Sequence, residues 1–179
     1  ARRQRQMCIR DRWRHTIDDV LPEVMRLYED TLSRADLQFE RLPARYFTGI
    51  LEQLQGRAVC ALYWVDERLV AFNLVLLDQH RLIDKFFGHD REFSRAYSLY
   101  FRYWLTNVDY CIAHKIPVYE CGQEGYASKL RLGCEFQGNS MFFRHRNRLV
   151  NGLLKLVKMY IRPDPVSYTH LTLPTSDLV

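Results

Sequence analysis

The chain has 179 residues, 47% of them hydrophobic and 13% aromatic. That composition builds one globular domain or two very small ones and excludes a disordered tail or a fibrous repeat. Its longest near-continuous apolar stretch, Leu69 to Leu77, is interrupted by Asn73 and falls well short of the roughly 20 residues needed to cross a bilayer. The formal charge of +5 points first toward a nucleic-acid or membrane-surface partner, but much of the positive charge sits in the first twelve residues.

Both ends read as sequence of another origin. Met7 to Arg12 back-translates to the transposon mosaic end used in sequencing libraries, and the residues before it to the adapter upstream of that end. Val166 to Thr175 back-translates to the reverse complement of the same adapter. Residues 1–12 and 166–179 are therefore set aside as adapter-derived tails, as any cloning scar would be, which leaves 13–165 as the domain, a fragment of a longer chain. Five of the 26 basic and two of the 21 acidic residues lie in the tails, so the remainder carries 21 and 19, a net of +2. The nucleic-acid signal mostly disappears. Cys60, Cys111, Cys121 and Cys134 remain, with no C-x-x-C pair and no zinc-like His spacing. They read as buried thiols of a reducing, cytoplasmic compartment, and no metal is expected. The tails lack apolar periodicity and are expected to make no stable contact with the domain.

Along the domain, Asp19 can cap a helix with Pro22 in its first turn and Val20, Val24, Leu27, Tyr28 and Leu32 at helical spacing. A second helix starts at Pro43 and stops at Gly56. Three β-rich runs follow, Ala58 to Val65, Leu69 to Leu77 and Leu82 to Phe87, joined by turns too short for anything but an antiparallel meander. Ser94 to Lys115 reads as one long helix with Tyr97, Tyr100, Phe101, Trp104, Leu105, Val108 and Ile112 on its apolar face. A helix of that length is the crossover that a parallel strand, Pro117 to Cys121, requires. A short helix around Tyr126 to Leu132, a strand from Glu135 to His145 and a basic amphipathic helix from Leu149 to Ile161 complete the order ααβββαβαβα. The fold class is α/β on a mixed sheet. Phe47, Leu62, Leu74, Phe86, Phe101, Trp104 and Val118 are expected to share one core.

This order, with F-E-R-L-P at Phe39 to Pro43, D-K-F-F-G-H-D at Asp84 to Asp90 and E-C-G-Q-E-G-Y-A-S-K-L-R-L-G at Glu120 to Gly133, resembles the GNAT superfamily of N-acyltransferases. Within it, the motifs resemble the BioF2-like acetyltransferase domains, relatives of the FemAB peptidoglycan aminoacyltransferases. The resemblance implies an acyl-CoA donor, an amine acceptor on a cell-envelope or small-molecule precursor, and a second, N-terminal GNAT-like half as partner. It leaves two alternatives: aminoacyl-tRNA as donor, or a catalytically inert half that docks on the missing domain. The family's pyrophosphate loop, Q/R-x-x-G-x-G/A, corresponds to Arg91 to Ala96, with Ser94 where the first glycine is expected. The family's Gly, Lys, Gly spacing falls on Gly122, Lys129 and Gly133, with Ser128 in place of the usual aromatic.

Acyl transfer needs a slot for the donor, N–H groups for phosphates, and a base for the amine. The helix start at Ser94 to Tyr97, with Arg91 and Arg95, is the candidate phosphate site; the alternative is a capped helix with two solvated arginines. Acidic residues inside strand runs are costly unless paired or used, which singles out Glu120 as base and Asp84 as substrate-binding group; either can instead be a sheet-face charge. Lys129 can hold a phosphate or substrate carboxylate, with its replacement by alanine leaving the melting temperature nearly unchanged. Tyr126 can return a proton to the leaving thiolate, or simply pack.

Overall fold

The computed structural model describes residues 9–35, 40–122, 126–137, 144–158 and 168–172. The chain divides into two compact units, one built on Ala1–Glu120 with Thr172–Val179 and one on Cys121–Leu171. The first contains a mixed sheet of five strands in the order β1-β2-β3-β4-β5: β1 (Ile9–Arg14), β2 (Ala58–Val65), β3 (Arg68–Leu77), β4 (Arg81–His89) and β5 (Val118–Glu120). Every pairing is antiparallel except β4 with β5. The meander and the parallel crossover strand stand where the sequence put them.

Alternation along the strands divides the buried side chains between two faces. Cys60, Leu62, Phe72 and Leu74 pack against α1 (Leu21–Leu32) and α2 (Ala44–Gln53), where Tyr28, Phe47 and Phe86 meet edge to face. Ala61, Tyr63 and Ala71 face the other way, toward Leu99 and Tyr103 of α4 (Leu99–Ala113). Among the described residues, clusters on both faces of the sheet replace the single core expected. Phe47, Leu62, Leu74 and Trp104 are buried as anticipated.

The crossover helix corrects the sequence reading twice. Ser98 adopts a left-handed conformation (φ 51°) and separates a short α3 (Arg91–Tyr97) from α4. The face that α4 buries carries Leu99, Tyr103, Trp104, Thr106, Asn107 and Cys111, while Phe101, Leu105 and Ile112 are exposed. The helix is apolar almost all round, so periodicity alone did not select its inner face.

A strand precedes the helices, contrary to the expected order and to the expectation of unattached tails. All six residues of β1 pair with β2 from Ile9↔Val65 to Arg14↔Cys60. Trp13 packs on Tyr110 with ring centroids 4.3 Å apart, and Asp11 accepts a hydrogen bond from Arg102 at 3.0 Å. Asp19 does not cap α1 by its side chain; it pairs with Arg14 at 2.9 Å, beside a 3-10 turn at Asp18–Val20. Pro22 does fall in the first helical turn.

The second unit contains α5 (Tyr126–Arg131), β6 (Glu135–Gln137), α6 (Arg148–Lys158) and β7 (Tyr168–Thr172). Strand β6 is shorter than the expected run to His145, of which 138–143 lie outside the described residues. It pairs antiparallel with β7, so the C-terminal tail, like the N-terminal one, contributes a strand.

Candidate active site

The geometry begins where β4 and β5 part. Their parallel ladder has only three positions, Arg81↔Val118, Leu82↔Tyr119 and Ile83↔Glu120, while β4 runs on to His89. From Lys85 to Gly88 that edge of β4 has no ladder partner among the described residues. The far end is pinned: the His89 amide donates to Thr31 Oγ1 at 3.0 Å, and its carbonyl accepts from Arg34 at 3.2 Å. A strand edge opened this way can hydrogen-bond an extended ligand arm by strand addition.

A β-bulge sits at the parting. Leu74 pairs with Phe86 and Val75 with Asp84, leaving Lys85 as the extra residue. The insertion places Asp84 and Phe87, three residues apart, on the same face, the one covered by α4. Phe87 stacks on Tyr103 at 4.0 Å, and Asp84 joins a hydrogen-bond network reaching α4. In that network Asn73 Nδ2 donates to Asp84 Oδ1 at 2.6 Å, the Tyr119 hydroxyl donates to Asp84 Oδ2 at 3.3 Å, and Asn107 Nδ2 donates to the Tyr119 oxygen at 2.9 Å. Sequence reasoning missed Asn73, Asn107 and Tyr119. The signal available was Asn73 itself, a polar residue inside an apolar strand.

Glu120 alternates to the face opposite Tyr119, so the structure does not bring Glu120 and Asp84 onto one face. Its carboxylate is partly buried, 3.6 Å from Arg81 Nη1. Lys129 and Tyr126 belong to the second unit. Lys129 is 3% exposed and donates to the carbonyls of Cys121 and Gly122, the latter at 3.1 Å. An amine so enclosed ties the chain after β5 to α5. Gly122 and Gly133 both have positive φ, 71° and 83°, the conformation for which glycine is suited.

The expected phosphate site differs most from its sequence reading. Arg91 to Ala96 is helical rather than a loop, and Ser94 lies inside α3 with its amide donating to Asp90 O at 2.9 Å. Asp90 caps this helix, its carboxylate accepting from the Glu92 amide at 3.1 Å. The same carboxylate pairs with Arg68 at 2.7 Å and Arg26 at 3.7 Å. The helix start, expected at Ser94, thus lies at Arg91 and carries an internal carboxylate as its cap. Arg91 and Arg95 are exposed. A groove of about 470 Å³ lined by Glu23, Arg26, Trp64 and Arg68 lies beside this cluster and includes none of the site residues anticipated from sequence.

Cys60, Cys111, Cys121 and Cys134 are buried, as expected, and burial pushes the Cys60 and Cys111 thiols up to about 12. Burial lowers His89 below the usual histidine range, against a smaller opposing contribution from its hydrogen bond to Asp90.

Comparison with known proteins follows the same architecture. The family model described as "Acetyltransferase (GNAT) domain" matches residues 1–130, a span that contains every site residue named above through Lys129. Among solved structures, the PaiA N-acetyltransferase of Thermoplasma acidophilum in complex with coenzyme A superposes with a TM-score of 0.63 at 10% identity, over 93% of this chain and 100% of that one. The ribosomal-protein-S18-alanine N-acetyltransferase of Escherichia coli gives 0.55 at 13% identity, over 93% and 94%. A Bacillus subtilis acetyltransferase in complex with CoA gives 0.53 at 11% identity, over 93% and 100%. At these identities the likeness is one of fold. No curated protein matches the chain.

Proposed function

The chain belongs to the GNAT acetyltransferase family and is by that membership an acyltransferase, and from this premise we propose that it transfers an acyl group from acyl-CoA to the amine of a small-molecule or cell-envelope precursor. The observation that carries the reading is the three-residue ladder between β4 and β5. It frees the edge of β4 to hold the pantetheine arm and presents the thioester at the parting. The acceptor ammonium first gives up one proton to a base, the neutral amine attacks the thioester carbonyl, the C–N bond forms, the C–S bond breaks, and the second proton shed by the nitrogen passes to the CoA thiolate. The motifs at Asp84 to Asp90 and Glu120 to Gly133 support placement in the BioF2-like group, and the four buried cysteines, without a C-x-x-C pair, support a cytoplasmic setting. No helix among the described residues is long and apolar enough to cross a membrane.

Two carboxylates border the parting on opposite faces, so one amine engages one of them. Asp84 is held by donors on both oxygens, whereas Glu120 is already beside Arg81. These contacts favour Asp84 as the group that meets the acceptor ammonium. They leave Glu120 as the base only if Glu120→Gln abolishes the rate.

A second reading, the inert docking half, is favoured by Asp90 at the α3 start and by the exposed Phe101, Leu105 and Ile112 of α4. Calorimetry with CoA and with charged tRNA, followed by mass spectrometry of a primary-amine panel incubated with acetyl-CoA, separates the readings. Binding of CoA with an acetylated amine supports transfer from acyl-CoA. Binding of tRNA alone supports the aminoacyl donor, and binding of neither supports the docking half.

A further inference from the structure

We propose that Asn73, Tyr119 and Asn107 are positioning residues that hold the Asp84 carboxylate at the parting of β4 and β5, where it anchors the ammonium group of the acceptor. The proposal rests on the acyl-transfer reading and adds to it the residues that fix the anchor.

Asn73 is fully buried in the middle of an apolar strand, a costly placement unless the amide is hydrogen-bonded. It donates to Asp84 Oδ1 at 2.6 Å and to the Phe86 carbonyl at 3.3 Å. These two acceptors lie on either side of the bulged Lys85, so one side chain pins both ends of the bulge that turns Asp84 toward the α4 face. From the opposite direction the Tyr119 hydroxyl reaches Asp84 Oδ2 at 3.3 Å, and Asn107 of α4 fixes that hydroxyl from behind at 2.9 Å. Each carboxylate oxygen therefore receives a donor from a different strand.

The network also has unused capacity. Asn73 Oδ1, Asn107 Oδ1 and Trp104 Nε1 are buried and have no hydrogen-bond partner among the described residues, and the Trp104 ring lies 6.1 Å from that of Tyr119. A network that only tied α4 to the sheet would be expected to satisfy its own buried amides. Asn73 Oδ1 belongs to the same amide that donates to Asp84, and an acceptor beside that carboxylate is the complement of a group rich in N–H donors. Asp84 itself directly follows Ile83, the last β4 residue in the ladder with β5, which puts the anchor beside the slot for the thioester.

The test uses the whole chain with Tyr119→Phe, which deletes one hydroxyl, and Asn73→Leu. Steady-state kinetics with acetyl-CoA and the best primary amine of the panel are read together with the carbon-13 carboxylate resonance of Asp84, identified by its loss in Asp84→Asn. Removing a hydrogen bond to a charged group is expected to raise the amine KM about 10-fold or more, while the acetyl-CoA KM stays within about twofold of the wild type and the Asp84 resonance moves. An unchanged amine KM with an unmoved resonance in Tyr119→Phe overturns the proposal, as does an equal loss in both KM values. If the wild type acetylates no amine, the acyl-transfer reading fails and the anchor role with it, whereas activity with an unmoved resonance sinks the positioning role alone. Should Asn73→Leu fail to fold, Tyr119→Phe decides.

Discussion

Gly88 provides the sharpest test of how β4 is built. It pairs with Phe72 on β3, and a Cβ added at Gly88 would lie 2.3 Å from Phe72 Cε1, where carbon atoms in contact prefer about 3.5–4.0 Å. Phe72 cannot yield easily: it is fully buried and meets Phe47 edge to face at 6.0 Å. Overpacking of this kind costs about 1–3 kcal/mol, offset by the ~0.5–1 kcal/mol that alanine recovers over glycine within a strand. At about 2–4 °C per kcal/mol for a chain of this size, Gly88→Ala should lower the midpoint of thermal unfolding by a few degrees. Phe72→Leu also destabilises, by loss of buried area, but it makes room for the new methyl. The double variant should therefore be more stable than the sum of the two changes implies, by about 0.5–3 kcal/mol. Circular dichroism melts of the four proteins measure this. A Gly88→Ala melt equal to the wild type, or strictly additive losses, would refute the claim that the Phe72 ring takes the place of a side chain at position 88.

Lys129→Met keeps the aliphatic stem but removes both hydrogen bonds that the buried ammonium donates to the Cys121 and Gly122 carbonyls, so urea denaturation should show a loss of about 1–3 kcal/mol. Stability should fall on acidification because of His89: its folded pKa is lowered, the unfolded chain binds the extra proton, and the contribution present above about pH 6.5 is lost as pH falls through the folded value. His89→Gln should flatten that dependence in melts taken across the acidic range. Deleting residues 1–14 removes a six-residue strand and the Trp13–Tyr110 contact, and should lower the unfolding midpoint measurably; an unchanged midpoint would mean that β1 is dispensable.

Much of the fold was legible because the signals were local. Short polar turns at 66–68 and 79–81 dictate antiparallel neighbours, and a helix of crossover length dictates the parallel strand after it. Strand β1 was missed for a different reason. Its nucleotide-level likeness to an adapter removed it from consideration, although Ile9, Asp11 and Trp13 alternate toward one face as an edge strand requires. The inner face of α4 was misassigned because aromatic and aliphatic residues surround the helix, so the sheet and not the period decides which are covered.

The candidate site was legible in its individual residues and not in its arrangement. Asp84 and Glu120 stood out as charges within strands, but the bulge at Lys85 moves Asp84 relative to its neighbours, and a one-residue insertion leaves no trace in a period-two pattern. Asp90 read as part of a turn before the helix. Its pairing with Arg68 and Arg26 depends on chain segments 22 and 64 residues away, which no local motif reports.

The central claim is that the edge of β4 beyond Ile83 receives the donor. Amide hydrogen exchange of the β4 peptide, measured with and without saturating acetyl-CoA, tests it most directly, because strand addition protects the backbone N–H groups it engages. The account predicts slower exchange in the Lys85–Gly88 stretch on adding acetyl-CoA, with β2 unchanged. Exchange in that stretch unaffected by acetyl-CoA, under conditions where calorimetry shows it bound, would contradict it.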